Sequence, residues 1–347
     1  RDRRFGTTNP ERMRLEFWDW MVRGSQGWLP ERDPQGRLVH PTPRWCSPRG
    51  ARNHFDVEVE HGPPVWTFYG RMGSSRDELP DGRAVCIGGE YDDSYDPDFC
   101  IYNDVVVIGS GETVAIYGYP REVFPPNDFH STSVIDDRII VIGSIGYPEE
   151  RRYGTTPVFA LHLDDYRIEP LPSLGEPPGW IHKHEARIEG ESIVVTSGLV
   201  MYEDAGEERI RRNLEDYSYH VPSGTWKRIT NRGWRHFTIR TEPWGWFTVL
   251  HDEDDGDRVS VDKSGHVYVR RGALIPRGAE SFVAEESADS LRAIIRGVPV
   301  VVDVEMTGID VVFEGRMDAD EAREIVEDLR RRIEAGSDRR CVLLTHP

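Results

Sequence analysis

Three copies of one sequence unit lie in phase along this chain, and no other feature limits its fold as tightly. The central copy spans residues 136–168: Asp136-Asp137-Arg138-Ile139-Ile140-Val141-Ile142-Gly143-Ser144, a loop, then an apolar run from Pro157 that turns at Asp164-Asp165 and ends at Ile168. Upstream, residues 81–89 (Asp81-Gly82-Arg83-Ala84-Val85-Cys86-Ile87-Gly88-Gly89) match without a gap, and downstream residues 190–198 do the same. The period is about 54 residues, in the range where repeats build solenoids, propellers or arrays.

Each unit follows one plan. A short strand comes first (75–79, 130–134, 184–188), then a tight turn on Asp81-Gly82, Asp136-Asp137 or Gly190-Glu191. An apolar run follows, short enough to be a strand buried on both faces, and ends at a glycine pair or its remnant. After a long polar loop the chain re-enters at 102–107, 157–163 or 216–221. It turns at Gly109 to Gly111, Asp164-Asp165 or Pro222-Ser223-Gly224 and closes with a fourth strand. In that last hairpin Val107/Val114, Leu161/Ile168 and Tyr219/Trp226 share one spacing.

The Gly88-Gly89 doublet, the Tyr102-Asn103-Asp104-Val105 run, and Tyr219 and Trp226 around Ser223-Gly224-Thr225 resemble the kelch repeat of β-propellers. The resemblance covers roughly residues 66–229, about half the chain. It implies four-stranded antiparallel blades around a central axis. The expected fold is mainly β: a kelch-like β-propeller of incomplete or atypical blade number, with an N-terminal helix and a small C-terminal α+β unit. Blades are expected at 66–121, 122–175 and 176–230, with a divergent fourth at 231–275.

The flanks read differently. Residues 1–65 hold a polar arm, a helix and a connecting segment. Asn9-Pro10 is a good helix start and Gly24 a stop, and Met13, Leu15, Phe17, Trp18, Trp20, Met21 and Val22 make that helix apolar nearly all round. Residues 27–52 read as a connecting loop and 54–60 as a strand. Four strands are expected at 236–240, 245–251, 258–261 and 266–271, with turns at 252–257 and 262–265. In the C-terminal unit, 276–347, Asp318 and Glu321 form a capping box for a helix that lines up Ala322, Ile325, Val326, Leu329 and Ile333 and stops at Gly336.

Composition bounds the function. Net charge is −18, which argues against nucleic acid or an anionic membrane as partner and leaves basic proteins or cations. No stretch approaches 18 apolar residues. Cys46, Cys86, Cys100 and Cys341 lack C-x-x-C spacing and read as core residues of a reducing compartment. A soluble cytoplasmic protein of bacterial type is expected. No phosphate loop, nucleophile elbow or EF-hand spacing occurs.

Two groups of residues carry candidate chemistry. The long loops after the glycine ends each set a tyrosine beside carboxylates: Glu90, Tyr91, Asp92, Asp93, Tyr95 and Asp98; Tyr147, Glu149 and Glu150; Tyr202, Glu203 and Asp204. On successive blades they would share one rim, with Trp180 nearby, and suit a basic protein partner in a scaffold or toxin-neutralising role. The second group is His130 and His184, at one phase of successive repeats, with His182 two residues away. Joined by Glu90 or Asp98 they would hold Fe(II), Zn or Mn, the alternative being a metal-dependent lyase, isomerase or oxygenase. No other cofactor is expected.

Overall fold

The computed structural model describes residues 4–28, 66–93, 96–250, 257–284 and 289–347, with the side chains of 92, 93, 96–98 and 284 left out. It is mainly β, and it divides into two compact units, Arg1–Ile229 and Thr230–Pro347. The expected strand at 54–60, the connecting loop beyond residue 28, Cys46 and most of the turn at 252–257 lie outside the described residues.

In the first unit the three repeats are three antiparallel four-stranded meanders. The first uses β2 (Ser75–Glu78), β3 (Ala84–Ile87), β6 (Val105–Gly109) and β7 (Thr113–Gly118), with β1 (Glu11–Arg12) added along β7 and the hairpin β4 (Glu90–Asp93) and β5 (Asp96–Ile101) inserted after β3. The second is β8 (Ser131–Ile135), β9 (Arg138–Ile142), β10 (Val158–His162) and β11 (Ile168–Pro170). The third is preceded by β12 (Leu174–Gly175) and β13 (Trp180–His182). It consists of β14 (Glu185–Glu189), β15 (Ser192–Thr196), β18 (Tyr217–His220) and β19 (Thr225–Arg228); the inserted β16 (Leu199–Asp204) pairs with β13 on one side and β17 (Glu207–Arg212) on the other.

The apolar runs are buried on both sides because the meanders stack. Ala84, Cys86, Val106 and Ile108 pack under α1 (Glu16–Ser25). Val85, Ile87, Val105 and Val107 meet Ile139, Val141, Phe159 and Leu161. Ile140, Ile142, Val158 and Ala160 meet Ile193, Val195, Tyr217, Tyr219 and Trp226. Each buried Val or Ile contributes about 1.5–3 kcal/mol. The far side of the third meander differs: by register Glu185, Arg187, Glu189, Ser192, Thr196, Ser218 and Lys227 share it with Val194.

The glycine ends have a steric cause. Gly89 N–H donates to Asn127 O (2.8 Å) and, one repeat on, Ser144 N–H donates to Ile181 O (3.0 Å). A Cβ on Gly88 would sit 2.1 Å from Asn127 O, and one on Gly143 2.3 Å from Ile181 O. A second ladder links the repeats just before their first strands, where Gly73, Phe129 and Lys183 all take left-handed φ (63°, 48° and 53°). Phe129 N–H donates to Gly73 O and Lys183 N–H to Phe129 O. This is why β8 and β14 begin one residue later than expected, after His130 and His184.

The Tyr-Asn-Asp run is a buried anchor. Asn103 Nδ2 donates to Tyr119 O and Phe124 O, and Tyr102 Oη accepts from Thr67 N–H. Asp104 takes the buried Arg71 guanidinium (2.6 and 3.1 Å) and Trp66 Nε1–H. Arg71 lies 3.6 Å from the centre of the Tyr102 ring. Its charge is held by burial-opposing pairing with Asp104, which raises its pKa.

Two local expectations are corrected. Val107 lies opposite Ala115, not Val114, because residues 110–112 make a three-residue turn with Gly111 and Glu112 at left-handed φ. The helix starts at Glu16 rather than at Asn9-Pro10. Asn9 instead bonds both backbone groups of Ile168 (Oδ1 from N–H, 2.9 Å; Nδ2 to O, 2.7 Å), and residues 11 and 12 pair with β7. α1 then buries Phe17, Trp18, Trp20, Met21 and Val22, with Trp18 stacked on Trp66 at 4.5 Å.

The second unit contains β20 (Arg235–Glu242), β21 (Phe247–Leu250), β22 (Val259–Val261), β23 (Val267–Arg270), α2 (Arg271–Leu274), β24 (Ser281–Ala284), β25 (Ser290–Ile295), β26 (Val298–Glu305), β27 (Gly308–Phe313), α3 (Ala319–Ser337) and β28 (Arg340–Thr345). Residues 231–275 do not form the expected fourth meander. β20 lies between β27 and β28 in a six-stranded sheet, β24-β25-β26-β27-β20-β28, and β21 pairs parallel with β23. Asp318 caps α3 through Asp320 and Glu321 N–H, and Ala322, Val326, Leu329 and Ile333 are buried. The helix runs past Gly336, where a Cβ would meet Val259 Cβ at 2.5 Å; close packing, not a stop, requires that glycine.

Candidate functional site

The three long loops do lie side by side. Ile101 N–H, at the end of the first hairpin, donates to Tyr147 Oη of the second loop (3.0 Å), and Phe99 meets the Tyr147 ring edge-on at 6.1 Å. Across the next junction Arg151 Nη1 reaches both Glu208 oxygens at 2.6 Å, and Tyr153 Oη donates to the same carboxylate. The second loop is a single 3-10 turn, Pro148–Glu150, whereas the first and third are hairpins.

Their charge is less open than the sequence implies. Arg121 pairs with Glu149 (2.6 Å) and Glu150 and stands 5.5 Å from the Tyr147 ring centre. Glu149 is held low by its hydrogen bonds to backbone and to Arg121, while burial raises Glu150 against the same arginine. At the tip of the third hairpin Arg209 sits by Glu207 (2.9 Å) and Asp204 (3.6 Å), and Glu203 remains exposed opposite Glu208. Tyr202 and Tyr91 are half-buried. Asp92, Asp93 and Asp98 contribute backbone to β4 and β5, but their side chains, and Tyr95 altogether, lie outside the described residues.

Glu90 faces inward. Its backbone bridges Met72, and its carboxyl pairs with that of Asp128, which also accepts from Gly146 N–H (2.8 Å) and Ser144 Oγ. Burial, opposed by those hydrogen bonds, raises the Asp128 pKa. Trp180, expected near the rim as a stacking ring, is buried and donates Nε1–H to Ile145 O (3.0 Å).

His130 and His184 serve the junctions between repeats. His130 Nε2 is 3.0 Å from Ser75 Oγ, and His184 Nε2 is 2.7 Å from Ser131 Oγ, each histidine reaching the first strand of the preceding repeat. Burial first, then His184, pushes His130 down to about 3, and burial pushes His184 down to about 4. His182 is 2% exposed, and neither ring nitrogen has a hydrogen-bond partner among the described residues. Burial, then Lys183, His184 and Arg151, pushes it down to about 3. All three are neutral at pH 7. Among the described residues no three His, Cys, Asp or Glu side chains are grouped to hold a metal ion. Cys86, Cys100 and Cys341 are buried, and burial lifts the Cys86 and Cys341 thiols to about 11, so neither of those two is a thiolate nucleophile.

Sequence reasoning did not single out the groups that tie the loops together, Arg121, Arg151, Tyr153 and Glu208. Nor did it find the exposed apolar side chains Tyr69, Met72 and Phe99 (39%, 47% and 45% exposed), of which Phe99 packs on Tyr147 and Met72 pairs with Glu90 at the base of the first hairpin. A hint lay in Arg151-Arg152, two cations inside an otherwise acidic loop. No helix among the described residues is long and apolar enough to cross a membrane.

No protein family matches the chain, and no curated protein matches it. Solved structures that match include "Structure of YjhT", at 12% identity over 69% of this chain and a TM-score of 0.31. The chain spans 64% of the length of that one. A likeness of that size carries nothing about fold or function.

Proposed function

We propose that the three stacked meanders are successive blades of a kelch-like β-propeller, and that the protein is a non-enzymatic binding module whose loop face holds a protein partner. The observation that carries this reading is the side-by-side placement of loops from all three repeats, braced by Ile101–Tyr147 and Arg151–Glu208. Bracing holds a surface in one shape before a partner arrives and lowers the ordering cost of binding. The exposed Tyr69, Met72 and Phe99 give apolar contact, and Glu203, Asp204 and Glu207 are exposed at the third hairpin.

Because Arg121, Arg151 and Arg209 take up much of the loop charge, the partner is fixed chiefly by its apolar contact. The net charge of −18 steers basic proteins toward it. The test is affinity capture on the immobilised chain at low and at physiological salt, beside a Met72→Asp/Phe99→Asp variant. A defined protein retained by the parent and lost by the variant is expected. Retention of nothing at either salt, or equal retention by both, would overturn the proposal.

A further inference from the structure

A cleft of about 600 Å³ opens between α1 and the edge of β7, and every residue on its wall is among those described. It lies where the chain leaves β7: β1 pairs with Tyr117 and Gly118, Met13 N–H makes one further bond to Ile116 O (2.8 Å), and the chain then swings out into α1. Its floor is apolar: Met13, Trp20, Val114 and Ile116. That volume and lining suit a small molecule rather than a macromolecule.

The charges around it run against those of the whole chain. Arg12 lies along the β7 edge, donating Nη2–H to Val114 O (2.8 Å) and Nη1–H to Ile116 O (3.2 Å), and meets no carboxylate among the described residues. Arg14 is exposed and has neither ion pair nor hydrogen bond among them. Arg23, by contrast, is neutralised by Asp19 at 2.5 Å and anchored on Glu112 O. Glu16 is the other carboxylate on the wall. Two uncompensated guanidiniums against one carboxylate leave a single positive charge beside an apolar floor, in a chain of net charge −18.

We infer that this cleft binds a small amphipathic monocarboxylate, its apolar body against Trp20, Val114 and Ile116 and its carboxylate at Arg12 and Arg14. The planar guanidinium fork matches a carboxylate, and Glu16 disfavours a dianion such as a phosphate ester. The inference is independent of the loop-face reading, since no loop residue contributes.

Isothermal titration of the full chain with 2-naphthylacetate, with decanoate below its micellar concentration, and with the neutral 2-naphthylacetamide tests it. Saturable one-to-one binding of at least one acid is expected, with the amide weaker by about tenfold or more. Arg14→Glu should weaken acid binding by about tenfold or more while leaving the circular dichroism and melting temperature of the parent. Val114→Trp, which fills the floor, should abolish the heat; should it unfold the chain, Arg14→Glu still decides. No saturable binding of either acid, an amide that binds as tightly as its acid, or an Arg14→Glu variant of unchanged affinity would each overturn the inference.

Discussion

His184 Nε2 lies 2.7 Å from Ser131 Oγ, fastening the start of the third repeat to the first strand of the second. His130 and Ser75 make the same link one repeat earlier, at 3.0 Å. Two of the three histidines that sequence spacing offers as metal ligands, His130 and His184, join neighbouring sheets.

If so, the two partners are energetically coupled. Ser131→Ala should lower unfolding stability by about 1–2 kcal/mol, because it leaves a buried imidazole unsatisfied. In a urea-unfolding cycle with His184→Gln, the double variant should lose less than the sum of the singles. Strict additivity would mean that the contact stabilises nothing.

The same histidines set a pH dependence. Folded pKa values of about 3 for His130 and His182 and about 4 for His184 lie below the ordinary 6.5. The unfolded chain therefore binds protons that the folded chain refuses. Stability from these groups is complete above about pH 7 and falls as pH drops toward 4, by about 1.4 kcal/mol per pH unit for each histidine. Urea unfolding at pH 7, 6 and 5 should show His130→Gln with a shallower acid slope than the parent. Parallel slopes would place His130 in solvent.

Arg71 and Asp104 are 3% and 6% exposed at their side chains, and each is the other's counter-charge. Arg71→Met should cost about 3–5 kcal/mol by stranding a buried carboxylate. Adding Asp104→Leu should recover part of that loss, although Trp66 Nε1–H then lacks its acceptor. A single variant as stable as the parent in chemical unfolding would contradict the burial of the pair.

Gly143 and Gly154 separate two effects of glycine. Both take left-handed φ (78° and 81°), but a Cβ at Gly154 meets nothing within 4 Å, whereas at Gly143 it meets Ile181 O at 2.3 Å. Gly154→Ala should cost about 1 kcal/mol for backbone strain alone. Gly143→Ala should cost about 2 kcal/mol more, because the next repeat must move away. Equal melting temperatures for the two variants would show that the repeats do not approach there.

The strands and turns of the three meanders were legible because two-faced burial writes an unbroken apolar run and turns write Gly and Asp. The adjacency of the long loops followed from phase alone. What those loops present did not: composition counts charges, while pairing depends on Arg121 reaching Glu149 and Arg151 reaching Glu208, contacts that no local pattern encodes. The strand at 235–242 was legible, but its neighbours, Ile309 and Leu343 beside Ile239, lie far downstream, so its sheet was not. Asn9-Pro10 was misread for a like reason, since the Asn9 amide is committed to Ile168.

That commitment has a colloidal consequence. Asn9 occupies the outward N–H and C=O of Ile168, and residues 11 and 12 occupy those at the end of β7. Without those bonds, the two strand edges would present unpaired backbone groups, which are templates for pairing with another chain. Residues 9–12 thus act as an edge cover, closing two sheet margins to any further strand.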